Sequence, residues 1–538
     1  MLVKLLQTVL NEQFLFAFCT FCLLLAGAFT SLRQTQMFQQ NSYFPARYFP
    51  WVKQNEAKQI IIKAIIFLLF ALFGIENHFI LLAFSLISVI FMVYSVVKAI
   101  SLQKKSVIKL KFTARIKRMY FALALLFLGI LALQIFVAKG QYYWFLSLAF
   151  LLSLFPYITV IVLWAVMLPF EKCVTNYYIN DAKRILKSFG SNLTVVGITG
   201  SYGKTGVKNI LYKMLCQKFN TAVTPLNYNT PMGVVRTIRE HLARNSEVFI
   251  CEMGAKKTGD IKELCDLVHP SYAIITSVGP QHLDTFKDIR NVTNTKFELY
   301  DSVKQNGGVT FANADNEYIK NRFIMSDFER YGSSSEFKYY ADNVEYKERS
   351  VNFTLHLDKE EILVTSRLFG SHNITNIVGA AALAYNMGVS KESIAFAVSR
   401  LEAVEHRLEL KKYINGATLI DDAYNANPVG SIEACNVIGR FSGKKRIIVT
   451  PGLVELGEKE YECNFNLGRA AAECADIVIF VGENRSKPLV DGLKTTNFNL
   501  ENLYIAPSFA KASEIFAPMC NKDTVILFEN DLPDNYLY

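Results

Sequence analysis

The chain has 538 residues, 51% of them hydrophobic, with mean hydropathy +0.21 and a formal charge of +10 that is unevenly spread. Residues 1–170 hold 15 Lys and Arg against 3 Asp and Glu, whereas the remainder holds 42 against 44. This excludes a disordered chain, a collagen and a small disulfide scaffold, and it ties the basic excess to apolar segments rather than to a polar face that would bind nucleic acid.

Apolar runs long enough to cross a hydrocarbon core of about 30 Å occur near 14–32, 59–75, 78–97, 119–138 and 143–169. They predict an all-α transmembrane bundle of about five helices over 1–170, followed by a connector at 171–190. The first run lacks the short apolar region and small-residue cleavage site of a signal peptide, so its retention is expected. One loop carries Arg33, Arg47, Lys53 and Lys58, and another carries eight basic residues from Lys98 to Arg118. Positive charge inside puts both loops in the cytoplasm, the amino terminus outside, and everything after Phe170 in the cytoplasm. Lipid or partner binding by these loops competes with a plain topology signal, which is preferred. Cys19 and Cys22 lie inside an apolar run without the other ligands of a zinc site or the βαβ setting of a redox motif, so they read as buried thiols. The other eight cysteines are scattered singly, as in a reduced cytosolic domain.

After Pro169 the composition becomes globular. The run 193–198, LTVVGI, predicts a buried strand, and Val207–Phe219 has Ile210, Leu211, Met214 and Leu215 at helical spacing. Between them lies Gly200-Ser201-Tyr202-Gly203-Lys204-Thr205. Such a loop surrounds phosphate oxygens with backbone N–H groups at a helix start, while the lysine neutralises charge and the threonine hydroxyl can reach Mg²⁺. Two residues separate the glycines here, against four in the common phosphate loop. A strand–helix turn that merely holds a lysine is the plainer alternative. Downstream, EVFICEMGA predicts a strand that ends in Glu252, placed to face a nucleotide's Mg²⁺. YAIITSVGPQHLDTF predicts another that ends near His282. A lone histidine there is more often structural, and a metal role needs company, which Lys296 in NTKFELY provides.

In order along 190–538, GITGSYGKT, TPLNYNTPMGV, EMGAKKTGDI, TSVGPQHLDTF, TKFELY, FANAD, GSHNITNIVGAAALA, EHRLEL, IDDAYNANP and VELGEKE resemble the Mur ligase family. Its members are the ATP-dependent amide-forming enzymes that build the peptidoglycan stem peptide. IDDAYNANP points to the D-alanyl-D-alanine-adding branch. The resemblance implies an α/β fold, with a P-loop central ATP-binding domain at 191–408 and a Rossmann-like carboxy-terminal domain at 409–538. It implies ATP held by Gly200, Ser201, Gly203, Lys204, Thr205, Asn373, Asn376, Arg407 and Asp422. It implies two Mg²⁺ ions held by Thr205, Glu252, His282 and Lys296, with Lys296 carbamylated. Lys204, His282, Lys296 and Arg407 would be catalytic, and Asn227, Asn229, Tyr424, Asn425 and Asn427 would meet the substrates. Taken singly, most of these residues would be caps or turn residues. Beyond 410, the strands ATLIDD, KRIIVTPG, ADIVIFVG and DTVILFEN alternate with helical segments 431–440 and 463–475, a βαβ pattern. The TPG before Leu453 departs from the family's usual turn.

The reaction so implied activates a muropeptide carboxylate as an acyl phosphate and joins it to a D-amino-acid dipeptide, at the bacterial cytoplasmic (inner) membrane. The apolar region stands where soluble members carry the small domain that holds the UDP-sugar. Three readings follow: a membrane-tethered ligase with a UDP-muramoyl donor, a ligase acting on a lipid-linked or other carboxylate and amine pair at the bilayer, and a non-catalytic nucleotide-sensing scaffold. Intact Lys204, Glu252, His282, Lys296 and Arg407 argue against the third.

Overall fold

The computed structural model describes residues 12–531 except 42, 74–77, 107, 137–141, 282, 323–326, 348–349, 403–405, 407, 424–425, 455 and 484. The chain up to Thr175 forms one compact unit, and Asn176–Asp531 forms a second.

The first unit is helical: α1 (Glu12–Gln40), α2 (Pro45–Phe73), α3 (His78–Lys105), α4 (Ala114–Phe136), α5 (Tyr142–Leu154) and the start of α6 (Pro156–Phe189). Among the described residues four helices are long and apolar enough to cross a membrane: Glu12–Gln40, Ala83–Lys104, Ala114–Phe136 and Pro156–Asn192. The second expected span, 59–75, is not among them, its apolar stretch Gln59–Phe70 being shorter, and the fifth run, read as one span over 143–169, is two helices that meet at Phe155. Pro156 has no N–H to donate and its ring disfavours a helical residue before it, so one helix ends and proline opens the next. α6 continues to Phe189, so the expected connector is helical. Inside the unit, Ser31, Gln34, Thr35 and Gln36 on α1 are buried. Their polar atoms are answered: Gln34 donates to Glu56 (3.1 Å) and accepts from the Tyr48 hydroxyl (2.6 Å), as burial of an amide requires.

The second unit contains two sheets. The larger runs β2-β3-β1-β4-β5-β6-β7-β8-β9. Its strands and helices follow the chain: β1 (Thr194–Thr199), α7 (Lys204–Leu215), β2 (Thr221–Val223), α8 (Pro231–Glu240), β3 (Val248–Glu252), α9 (Asp260–Val268), β4 (Tyr272–Ile275), α10 (Leu283–Phe286), α11 (Ile289–Gln305), β5 (Val309–Asn313), α12 (Glu317–Lys320), β6 (Glu329–Gly332), β7 (Tyr339–Tyr346), β8 (Val351–Leu357) and β9 (Glu360–Ser366). The pairs from β2 through β7 are parallel, and β7-β8-β9 are antiparallel. The residue patterns match: β3, VFICE, is buried throughout, as a parallel strand covered on both faces must be, whereas β8, VNFTLHL, alternates buried and half-buried. α7, α13 (Ser371–Asn386) and α14 (Lys391–Ser399) cover one face, while α8, α9 and α11 cover the other.

The smaller sheet runs β10-β11-β15-β12-β13-β14, parallel except at β10-β11. Its elements are β10 (Glu409–Lys412), β11 (Thr418–Asp422), α15 (Pro428–Gly439), β12 (Lys445–Thr450), α16 (Glu460–Cys474), β13 (Ile477–Val481), α17 (Lys487–Leu493), β14 (Leu503–Ala506), α18 (Phe509–Phe516) and β15 (Thr524–Glu529). The α/β expectation therefore holds, and the antiparallel extension β7–β9 adds to it.

Phe311 on β5 is fully buried, whereas Leu363 on β9 is 69% exposed. Phe311→Ala is expected to cost about 3–5 kcal/mol and Leu363→Ala to stay within about 0.5 kcal/mol. The measurement is the urea midpoint of the unfolding transition.

Candidate active site

Parallel pairing fixes which strand ends meet. Ile198 lies beside Glu252 on one side, and Thr199 lies beside Ile275 on the other, so the loop after β1 sits between the ends of β3 and β4, where open α/β sheets bind ligands. The loop is laced to the segment after β4. Ser201 N–H donates to Ser277 O (2.6 Å), the Ser201 hydroxyl to Gly279 O (3.0 Å), and the Tyr202 hydroxyl to Pro280 O (2.7 Å). Both glycines are required. A Cβ at Gly200 would lie 2.0 Å from Thr276 Oγ1, and Gly203, at φ +80, would bring one within 2.8 Å of Asn376 Oδ1. Lys204 opens α7 and folds back, its ammonium donating to Gly200 O (2.6 Å) and Ser201 O (3.0 Å). A cation and a helix start thus share the concave side of the loop, which suits an anion.

Glu252 is 1% exposed and is surrounded by donors. The Thr205 hydroxyl lies 3.2 and 3.1 Å from its two oxygens, Asn229 Nδ2 donates at 3.1 Å, and Lys208 Nζ stands 3.0 Å away in an ion pair with both side chains 2% exposed. Lys208 also donates to Leu226 O at 2.6 Å. Burial pushes the Glu252 carboxyl up, but Lys208 and Lys204 outweigh it, and the group stays below the usual carboxylate range. Among the described residues no group of three His, Cys, Asp or Glu stands together to hold a metal. The oxygens that do converge, Thr205 and Glu252, are a hard donor set that suits Mg²⁺.

Lys296, on α11, is 2% exposed. Burial and the charge of Lys204 push its ammonium well below the ordinary lysine value, only partly opposed by Asp260 and Glu298.

A cavity of about 970 Å³ opens beside the loop, lined by Gly203, Asn373, Asn376, Asp422 and Asn427 among others. It brings the expected nucleotide residues of the first sheet domain together with the IDDAYNANP segment of the second. Asn376 is buried, Asn373 donates to Phe369 O (2.6 Å), and Asn427 caps α15 by accepting from Gly430 N–H (2.9 Å). Asp422 accepts from Leu408 N–H at 3.1 Å. Asn229 is half-buried on Glu252, while Asn227 is exposed. His282, Arg407, Tyr424 and Asn425 lie outside the described residues. Beside Arg407 in sequence, His406 Nδ1 is 2.7 Å from Asp421 Oδ2, which also accepts from Lys411 at 3.0 Å.

Lys208 and Glu529 were not singled out from the sequence. Lys208 is a lysine on the core-facing side of α7, an irregularity in the apolar stripe that could have marked it. Glu529 ends the apolar strand β15 just as Glu252 ends β3, and it is fully buried. It accepts from the Ser431 and Thr450 hydroxyls, the latter at 2.7 Å. Thr450 begins the TPG turn, whose Gly452 carbonyl accepts from Asn530 Nδ2 at 2.6 Å. The unusual turn is therefore tied to the end of β15.

Burial raises the Glu529 carboxyl from 4.5 to about 8, the hydroxyl bond from Ser431 pulling it down and the Asp422 charge adding to the rise. Because the folded value is the higher one, the contribution to stability is full below 4.5 and is lost as pH rises towards 8. Glu529→Gln cannot ionise and should flatten this limb, gaining on the wild type most at alkaline pH. Urea midpoints from acid to alkaline pH check it, and parallel curves for the two proteins would refute it.

Residues 198–384 match the Mur ligase middle domain, and residues 406–529 match the Mur ligase glutamate ligase domain. The UDP-N-acetylmuramoyl-tripeptide–D-alanyl-D-alanine ligase of Escherichia coli is 31% identical over 296 residues, 54% of this chain and 64% of that protein. Its namesake in Buchnera aphidicola is 30% identical over 273 residues, 50% and 59%. The chain thus spans about three fifths of the length of these curated relatives. The fold of the MurF ligase of Thermotoga maritima, solved in complex with ADP, superposes with TM-score 0.59 at 24% identity, covering 68% of this chain and 81% of that one.

Proposed function

By residues 198–384 and 406–529 the chain belongs to the Mur ligase family, and we propose that it is an ATP-dependent ligase of cell-wall precursor assembly. In this reading a muramoyl-peptide carboxylate attacks the γ-phosphate of ATP, giving an acyl phosphate and ADP. The amine of D-alanyl-D-alanine then attacks the acyl carbon, phosphate leaves, and the amine gives up its proton. The observation that carries it is the meeting of a laced phosphate loop and a buried carboxylate at one strand edge, beside a cavity walled by both domains.

Each residue has a definable task. Lys204 and the loop N–H groups neutralise and seat the phosphates. Asn373 and Asn376 would face the nucleotide base, and Asp422 and Asn427 would close over nucleotide and amine, a role the motif also gives Tyr424 and Asn425. Thr205 and Glu252, with His282 and Lys296, would hold Mg²⁺, which when bound supplies charge neutralisation to the reacting phosphate. Lys296 supports its part through burial: in its neutral form an amine adds CO₂ to give a carbamate and a proton, which would turn the side chain into an oxygen ligand. Arg407 would balance phosphate charge at the hinge.

We place the enzyme at a membrane, in agreement with the exposed apolar side chains of the helical unit, such as Leu86, Phe121 and Val166 at 64%, 66% and 70%. That surface also favours a second reading, in which the donor is a lipid-linked precursor presented at the bilayer. Full-length protein supplied with ATP, Mg²⁺, UDP-MurNAc-tripeptide and D-alanyl-D-alanine should form amide and release phosphate. Turnover only with a membrane extract would move the assignment to the lipid-linked donor.

Lys204→Ala is expected to abolish ATP-dependent ligation, by at least about 10²-fold, and an unchanged rate in the phosphate-release assay would remove the catalytic assignment of Lys204. Lys296→Ala should be inactive and regain activity with an added short-chain carboxylate. Wild-type activity without that addition would remove the carbamate.

A further inference from the structure

α15 begins at the IDDAYNANP segment and then runs along the middle domain. It presents Glu433, Asn436 and its terminal cap Arg440 three and four residues apart, one face of a helix. The side chain of Glu433 is 13% exposed. One of its oxygens accepts the backbone N–H of Ser371 at 2.9 Å, and the other accepts from Asn436 at 3.2 Å. Ser371 is the first residue of α13, the helix that carries Asn373 and Asn376. Arg440 stands 3.9 Å from Glu433 and lays its guanidinium 3.9 Å over the ring of Tyr346 on β7. Gly370 adopts φ +96, and a Cβ there would approach Glu433 Cγ to 3.4 Å. Phe369 packs against the cores of both domains.

The start of a helix has unsatisfied N–H groups and a positive end, and here the answering carboxylate comes from the other domain. The same helix, α15, has Asn427 as its cap, and Asn427 and Asp422 line the cavity. Its grip on α13 therefore sets where that segment lies relative to the nucleotide residues. We propose that Glu433 is a positioning residue: by holding the amino end of α13 it keeps the glutamate ligase domain over the cavity, fixes Asp422 and Asn427 for the incoming amine, and excludes water. The inference rests on the ligase reading above. Loss of the grip lets water attack the acyl phosphate, returning carboxylate and phosphate, so that ATP is consumed without amide.

The test uses full-length Glu433→Ala, Glu433→Gln and Arg440→Ala. Amide and phosphate are measured together, and hydrogen exchange is followed across residues 369–376 with ADP present. Glu433→Ala should lower kcat/KM for D-alanyl-D-alanine about tenfold or more, raise the phosphate released per amide, and speed exchange at Ser371. Glu433→Gln keeps an acceptor and should stay near wild type, while Arg440→Ala, which leaves the hydrogen bond in place, should fall between. Wild-type kcat/KM, coupling and exchange in Glu433→Ala would overturn the proposal, as would equal damage from Glu433→Gln. A wild-type chain that makes no amide refutes the ligase reading instead, and the exchange rate at Ser371 then decides the grip by itself.

Discussion

A charged carboxylate in a protein interior has to be answered, and the second unit is arranged around one at the end of β3. Desolvating Glu252 without partners would cost several kcal/mol, and the structure supplies a lysine and a threonine hydroxyl from α7 and an amide from the loop after β2. Lys208 sets the rotation of α7 and ties down Leu226, which adopts φ +45 in the loop after β2. Asn229 holds the next turn of that loop, and Thr205 holds the helix start to the strand end. Removing one member of such a pair leaves a lone buried charge, so the cluster makes the loop after β1, the helix and the 224–230 loop one mechanical piece.

The short spacing between Gly200 and Gly203 follows from the same crowding. The loop has no room to spread, because Thr276 and the 277–280 segment lie against it and Asn376 closes it from α13. Two intervening residues whose hydroxyls bond that segment replace the longer loop of the common pattern. A tight loop with its amides already oriented loses little entropy when an anion arrives. Asn376 therefore has a structural reason to sit under Gly203 as well as a place in the cavity wall.

The two sheet domains repeat one device: an apolar strand ending in a buried acidic residue, Glu252 in the first and Glu529 in the second. Their surroundings differ in sign. Glu252 meets two lysines and keeps its charge, whereas Glu529 meets hydroxyls and the neighbouring Asp422 and is driven towards the neutral form. The first carboxylate is held by lysines, and the second joins β15, β12 and the start of α15 through hydroxyl groups.

The sequence by itself determined the α/β alternation, the strand–loop–helix at 194–215, the apolar character of the first 170 residues and five of the residues that line the cavity, Gly203, Asn373, Asn376, Asp422 and Asn427. These are local properties, carried by periodicity and by short ordered motifs. It did not disclose the break at Pro156 as the end of a helix, since an apolar run reads the same whether one helix or two crosses it. Nor did it disclose the antiparallel β7–β9, whose strands are ordinary alternating segments until they pair. Lys208, Glu433 and Glu529 were legible only as a lysine and two glutamates. What makes them significant is the burial and the partner each acquires from a distant segment: Glu252 for Lys208, Ser371 for Glu433, Ser431 and Thr450 for Glu529. A charge on a helix is inexpensive in water and decisive in the interior, and only the tertiary structure decides which of the two a given residue meets.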